Sequence, residues 1–253
     1  MKYKTLSIII PVYNEERFIL KTLARVIGAK SLGLKKEIIV VDDGSTDSTV
    51  SKIKKHMAKS PTSPRLRGTS KKIILIQQKK NQGKCAAVKA GFMKSTGDIV
   101  LIQDADFEYD PSEYPLLLEP FFKYDVDVVY GSRFISDRPH RVLYFWHYVG
   151  NILLTTFSNI LTNLNLTDME TGYKVFKGPL IRKLAPRLRS KRFGLEPEIT
   201  ARISKLRDIN IYEVGISYWG RTYDEGKKIG VRDGVLAIWQ IIRYNVFTHD
   251  SET

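Results

Sequence analysis

Asp104 and Asp106 stand one residue apart at the end of the run Gly97-Asp98-Ile99-Val100-Leu101-Ile102-Gln103. Two close anions repel unless a cation or a proton separates them, and a hard divalent cation with oxygen ligands is the usual solution. Mg2+ in such sites keeps one or two carboxylates and takes other ligands from water and substrate phosphates. Glu108, two residues on, offers a third oxygen. The plainer reading is a solvated acidic turn ending in Asp110-Pro111. Basic residues gather in two places, at Arg133, Arg138 and Arg141, and in the loop Gly220 to Gly234 with Arg221, Lys227, Lys228 and Arg232. Such groups suit a phosphate-bearing substrate; an ordinary solvated loop is the alternative for the second. A metal on carboxylates, with cations nearby, would stabilise negative charge growing on a phosphate leaving group.

The carboxylates need a rigid support. Ile99 to Ile102 is a continuous apolar run, the pattern of a central parallel strand covered on both faces. Open α/β sheets place ligands at the carboxyl ends of such strands. Further strands are predicted at Leu6–Pro11, Glu37–Val41, Ile73–Gln77, Val126–Tyr130, Lys174–Phe176 and Ile209–Ser217. The first helix is predicted with Asn14 as its cap and Leu20, Leu23, Ala24 and Ile27 on one face. Others are expected at Thr49–Met57, from Asn81-Gln82-Gly83-Lys84 to Lys94, at Ser112–Lys123, from Glu196-Pro197-Glu198, and at Val235–Val246. Strands alternating with helices imply right-handed crossovers and a mostly parallel sheet. Asp42-Asp43-Gly44-Ser45-Thr46-Asp47 reads as a tight turn, and Ser60 to Lys72 as a solvated basic loop. There is no Walker A loop, because Gln78 replaces its first glycine and Cys85 its Ser or Thr. No G-x-G-x-x-G follows the first strand.

At 253 residues, with 43% hydrophobic and 11% aromatic residues, the chain suits one large globular domain. A formal charge of +14 favours anionic partners: nucleic acid, phosphorylated substrates or an acidic membrane surface. A nucleic-acid-binding module would interleave aromatic residues with its basic face. Here the aromatic residues fall mostly in apolar stripes, so no nucleic-acid partner is expected. The single cysteine, Cys85, excludes an internal disulfide and suits a reducing cytosol, and a buried thiol is expected there. Met1-Lys2-Tyr3-Lys4 runs straight into a strand without an apolar signal segment, so no export is expected.

Val142 to Leu166 contains no Asp, Glu, Lys or Arg, but its many Asn, Ser and Thr residues argue against a membrane span. Leu143, Trp146, Gly150, Leu153, Phe157, Ile160 and Leu164 form a stripe at three- and four-residue spacing, hence an amphipathic helix. The stripe either packs on the core or lies in a membrane interface, with Arg138 and Arg141 near lipid phosphates.

S-I-I-I-P-V-Y-N-E at 7–15, V-D-D-G-S-T-D at 41–47, N-Q-G-K at 81–84, D-A-D at 104–106 and G-S-R at 131–133 occur in that order. In this the chain resembles family 2 glycosyltransferases over residues 5 to about 135. T-D-M-E-T-G-Y-K at 167–174, R-F-G-L-E-P-E at 192–198 and G-R-T-Y-D-E-G-K-K at 220–228 make the second half similar to one branch of that family. The branch holds the dolichol-phosphate mannose and glucose synthases and bacterial polyprenyl-phosphate glycosyltransferases. The resemblance implies an α/β fold of the GT-A nucleotide-diphosphosugar transferase kind. A mostly parallel central sheet would be flanked by helices, with C-terminal amphipathic helices. It implies a single domain over 1–253, with about 5–135 binding the nucleotide sugar and about 136–247 serving the acceptor through interfacial helices. Some relatives carry C-terminal transmembrane helices, and none is expected before Thr253.

Carried over residue by residue, Pro11, Tyr13 and Glu15 line the nucleotide pocket, and Asp43 with Asp42 contacts base or ribose. Lys84, Asp104 and Ala105 stand at the donor. Asp104, Asp106 and Glu108 hold Mg2+ or Mn2+, Glu108 standing where related synthases often have Gln. Arg133, Arg138, Arg141, Arg221 and Lys227 meet phosphates of donor or lipid acceptor, and Asp106, Arg133 and Arg221 are the catalytic candidates. Gln240-Ile241-Ile242-Arg243-Tyr244 comes close to the Q-x-x-R-W of processive polysaccharide synthases and is read as coincidence.

The implied activity is inverting transfer of a hexose, mannose or glucose, from a GDP- or UDP-sugar to a polyprenyl or dolichyl phosphate. The implied place is the cytosolic face of a membrane, with the protein peripheral there and a membrane-anchoring protein as a further candidate partner. A phosphate acceptor is already anionic and needs guanidinium groups more than a general base. Transfer to a saccharide hydroxyl is the alternative. It calls for a carboxylate base, for which Asp168 and Glu170 are candidates, with turn capping as their plainer role.

Overall fold

The computed structural model describes residues 2–59, 72–135, 139–142, 144–190, 194–220 and 231–248. In chain order the elements are β1 (Thr5–Val12), α1 (Ile19–Gly28), β2 (Lys35–Asp42), α2 (Thr49–Lys59), β3 (Lys72–Gln77), α3 (Lys84–Lys94) and β4 (Ile99–Ile102). They continue with α4 (Tyr114–Lys123), β5 (Val128–Ser132), α5 (Phe145–Thr162), β6 (Lys174–Lys177), α6 (Gly178–Leu184), α7 (Leu195–Ser204), β7 (Ile211–Gly215) and α8 (Val231–Val246). The sheet order is β3-β2-β1-β4-β6-β5-β7. Every pairing is parallel except those of β6, which runs antiparallel between β4 and β5.

Alternation along the strands builds a core on each face. Ile8, Ile10, Val40 and Leu101 point to one side, against Leu23 and Val26 of α1, Ile53 of α2 and Leu117 and Phe121 of α4. Ile9, Ile39, Val41 and Val100 point to the other, against Val88 and Phe92 of α3, Ile181 of α6 and Ile199 of α7. The apolar run of β4 is therefore buried on both faces, as its sequence requires.

Asn14 does not cap α1. It adopts a left-handed φ of 56°, and its side-chain oxygen accepts from Thr46 N at 2.9 Å. Residues 15–18 form a turn closed by Phe18 N and Ile19 N on Glu15 O, so the helix starts at Ile19. Its buried face is accordingly Ile19, Thr22, Leu23 and Val26, while Leu20 and Ala24 face solvent. At the far end α8 begins at Val231, taking in Gly234, which the sequence assigned to a loop. The predicted stripe on α5 divides. Phe157 and Leu164 pack on the core, whereas Trp146, Leu153 and Ile160 are 78%, 64% and 72% exposed. The side chains that α5 buries are polar: Thr155, Ser158 and Thr162. They face inward because this helix fastens the turn after it: Thr155 Oγ1 accepts from Met169 N at 3.2 Å, and Asn159 bonds both the N–H and the carbonyl of Leu166. The expected basic loop 60–71, Leu143 and residues 221–230 lie outside the described residues.

Candidate active site

Asp104 emerges from the end of β4 and meets Lys84, whose Nζ lies 3.0 Å from each carboxylate oxygen. Lys84 also reaches Glu196 Oε1 at 3.3 Å. Lys84 opens α3 and Glu196 lies in the first turn of α7, so two helix N-termini converge on Asp104. Burial alone would lower Lys84, but Asp104 and Glu196 override it and hold the ammonium well above its ordinary value.

The turn after Asp104 is braced from beneath. Gln103, 1% exposed, donates from Nε2 to the Asp104 carbonyl at 2.9 Å. Its Oε1 accepts from the hydroxyls of Tyr114 and Tyr173, each at 2.8 Å. The Thr22 hydroxyl donates to the Ala105 carbonyl at 2.8 Å. Phe107 sits at φ 64°, a conformation that costs a bulky side chain about 1–3 kcal/mol. The Phe18 ring at 5.4 Å and the Arg25 guanidinium at 4.8 Å hold it there. Beyond it, Asp106 Oδ1 accepts from Glu108 N at 3.3 Å, and Glu108 Oε2 accepts from the Tyr218 hydroxyl at 3.0 Å.

The expected triad Asp104, Asp106 and Glu108 is not a preformed cage. Among the described residues no three His, Cys, Asp or Glu side chains are placed to hold a metal ion. The cause is local: Asp104 is engaged by Lys84 and Glu108 by Tyr218. Asp106 supplies a hard oxygen at the head of the turn. That donor set fits a cation whose shell is completed largely by substrate phosphates and water.

The second cluster is built on Arg133, just after β5. Its Nε and Nη2 donate to Asp168 at 2.6 and 2.7 Å, its backbone N–H at 3.1 Å, and Nη2 also reaches Asn151 Oδ1 at 3.2 Å. The Tyr218 ring lies 5.1 Å from the guanidinium carbon. Burial would lower Arg133, but the fully buried Asp168 keeps it well above its ordinary value. Glu213 on β7 fixes the turn in its place, accepting from Thr167 N at 2.9 Å and Asp168 N at 3.2 Å. These bonds occupy Nε and Nη2.

Asp42 and Asp43, expected to contact base or ribose, stand at the end of β2. Both are buried, and their carboxylates serve the backbone. Asp42 accepts from Ser45 N at 3.2 Å, and Asp43 from Gln82 N and Gly83 N at 2.8 and 2.7 Å. They tie the 42–46 turn to the start of α3. Gly44, at φ 74°, lies where a Cβ would stand 2.7 Å from the Lys80 carbonyl carbon. Pro11, exposed Tyr13 and Glu15 stand beside that turn, because the end of β1 pairs with Asp42. Arg141 belongs to a short parallel pairing, its N–H donating to Tyr218 O at 2.9 Å and its Nη1 to Gly220 O at 3.2 Å. Arg138, Arg221 and Lys227 lie outside the described residues. Sequence reasoning missed Gln103, Thr22, Asn151 and Glu213 in the site, and read Glu196 only as a helix-start residue. The acidic pair in Gly194-Leu195-Glu196-Pro197-Glu198 was the available signal, since both carboxylates prove buried.

Residues 7–184 match the family described as Glycosyl transferase family 2. The chain is 30% identical over 243 residues to a dolichyl-phosphate beta-glucosyltransferase of Dictyostelium discoideum, covering 88% of this chain and 68% of that one. It is 27% identical over 248 residues to a UDP-N-acetylglucosamine–dolichyl-phosphate N-acetylglucosaminyltransferase of Methanococcus voltae, covering 96% of each. Its fold matches glucosyl-3-phosphoglycerate synthase of Mycobacterium tuberculosis, solved with Mn2+, UDP and phosphoglyceric acid, at TM-score 0.69 and 18% identity, over 98% of this chain and 80% of that one. Another structure of that enzyme contains Mg2+ and UDP. The chain belongs to glycosyl transferase family 2. It is a glycosyltransferase with the GT-A fold. Among the described residues, no helix is long and apolar enough to cross a membrane.

Proposed function

We propose that this enzyme transfers one hexose, with inversion, from a nucleotide diphosphate sugar to a polyprenyl phosphate, at the cytosolic face of a membrane. The observation that carries the acceptor is the Arg133–Asp168 pair. Asp168 is fully buried and holds Arg133 through both oxygens, so it is not poised to take a proton from a sugar hydroxyl. The same pair fixes a guanidinium beside Tyr218, as capture of an already anionic acceptor requires. The other candidate base, Glu170, is pushed up by burial and by Glu196, toward its neutral form.

On the donor side, Asp106 would hold Mg2+ or Mn2+. The cation, when bound, would offset charge on the departing diphosphate. The chain's own part is to keep Asp106 on a braced turn, with Lys84 fixed on Asp104 at the start of that turn. Pro11, Tyr13 and Glu15 would border the nucleotide. Uridine donors are the first to test, since the M. voltae relative is named for UDP-N-acetylglucosamine and the M. tuberculosis enzyme was solved with UDP. The relatives named for dolichyl phosphate support a lipid acceptor.

The deciding experiment incubates purified protein with UDP- and GDP-hexoses and Mg2+ or Mn2+, with polyprenyl phosphate or with soluble saccharides. Chloroform-extractable glycolipid is expected only with the lipid phosphate. Transfer to saccharides alone overturns the acceptor assignment.

A further inference from the structure

Glu170 is the charged member of the polar turn 167–172 that the transfer scheme leaves without work; the Thr171 hydroxyl beside it is also buried without a partner. At one end of this turn Asp168 chelates Arg133. At the other, Gly172 lies so close to Asp104 that a Cβ there would stand 2.5 Å from Oδ2. The turn thus joins the phosphate-side pair Arg133–Asp168 to the diphosphate-side group Lys84–Asp104–Glu196. Lys174 stiffens it from below, donating from Nζ to the carbonyls of Met169 and Thr171. Glu170 Oε1 is enclosed and has no hydrogen-bond partner. Its charged neighbours are Glu196, Lys174, Arg133 and Asp168. An enclosed carboxyl oxygen without a partner is unfavourable, and each such group in a native structure calls for an explanation, an absent ligand among them.

The reaction says which part of the substrates passes here. The anomeric carbon must lie between the departing diphosphate and the attacking phosphate, so the sugar ring occupies the space between the two charged groups that this turn connects. We propose that Glu170 is a specificity-determining residue whose carboxyl hydrogen-bonds a hydroxyl of the sugar in transit. A phosphate is a poorer occupant, because Asp168 and Glu196 set negative charge beside Glu170 while the two cations there are already engaged, Arg133 by Asp168 and Lys174 by the Met169 and Thr171 carbonyls. A sugar hydroxyl both donates and accepts, which a carboxyl flanked in this way can match. A site built around such a bond rejects a sugar that lacks the hydroxyl or presents it at the wrong epimeric position.

This inference rests on the transfer reaction proposed above, and its test separates the two. Binding of UDP-hexoses epimeric at single carbons, and of UDP alone, is measured by calorimetry on wild type, Glu170→Ala and Glu170→Gln, with Mg2+ present and no acceptor. Glu170→Ala is expected to weaken the preferred donor about tenfold and to bring its epimers level with it, with UDP affinity held within about twofold. Glu170→Gln, which still donates and accepts, should fall between. An unchanged preference among epimers, or UDP affinity falling as far as donor affinity, overturns the assignment. If Glu170→Ala does not fold, the epimer ratios of Glu170→Gln and Glu170→Asp decide in the same way. Failure to glycosylate polyprenyl phosphate would sink the acceptor reading while leaving this donor measurement intact.

Discussion

Asp104 and Asp106 are separated by one residue and differ in their surroundings. Asp104 is neutralised within the protein by Lys84, which Glu196 shares. Asp106 lies past Ala105, on a turn that Gln103, Thr22 and the Phe107 packing hold in one shape. The division predicts unequal costs. Asp106→Asn should lower kcat/KM about a hundredfold or more with the fold kept, because an amide is a weak ligand for a hard cation while its oxygen can still accept from Glu108 N. Full activity of this variant, or of wild type in excess EDTA, would remove the metal from the mechanism. Asp104 and Asp106 were legible in the sequence because a buried strand ends in them. The contact of Lys84 with Glu196 was not, since it joins positions 112 residues apart and only the docking of α7 creates it. The backbone bonds of Asp42 and Asp43 were not legible either, because a carboxylate that braces a turn looks, in sequence, like one that binds a ligand.

Among the elements, the strands were legible throughout, because apolar runs bounded by turn residues leave little choice of period. Helix faces were less so. α1 starts after a turn that no cap residue announces, which rotates its buried face. Strand β1 is held at its start by a single carboxylate. Asp98 Oδ2 accepts from Lys4 N at 2.7 Å, from Thr5 N at 3.0 Å and from the Thr5 hydroxyl at 3.0 Å. The Lys4 N–H holds this carboxyl below its ordinary value; burial opposes it, and the two Thr5 bonds add to the lowering. A folded-state value below the unfolded one gives stability that is present above the usual carboxylate range and is lost as pH falls through the lowered value. Asp98→Asn should therefore reduce the melting temperature at neutral pH and flatten its fall below about pH 4. Parallel melting curves for the two proteins over that range would show that the clamp contributes nothing.

For the whole molecule, charge and apolar surface point the same way. The net charge is +14, α5 exposes Trp146, Leu153 and Ile160, and α8, packed on α5, exposes Val235, Leu236 and Trp239. An enzyme that must reach the phosphate of a lipid gains from such a surface. Sedimentation with anionic vesicles is expected, weaker in high salt, and weaker again in Trp146→Asp/Leu153→Asp, whose melting temperature should hold because both side chains are exposed. Equal sedimentation of wild type and double variant would exclude α5 from the contact. The sequence left this helix undecided because its stripe serves both purposes, Phe157 inward and Trp146 outward. The place of β6 has a consequence for how the protein is made. The strand begins at Lys174, yet it fills the gap between β4 and β5, which is complete at Ser132. A nascent chain emerges from its amino end, so the apolar strand Ile99–Ile102 shows an unpaired edge to the cell until Lys177 has left the ribosome. The chain up to Ile135 is thus not expected to fold by itself. A fragment ending at Ile135 should pellet on expression where the full chain stays in the supernatant, and recovery of that fragment folded and monomeric would show that β4 tolerates the wait.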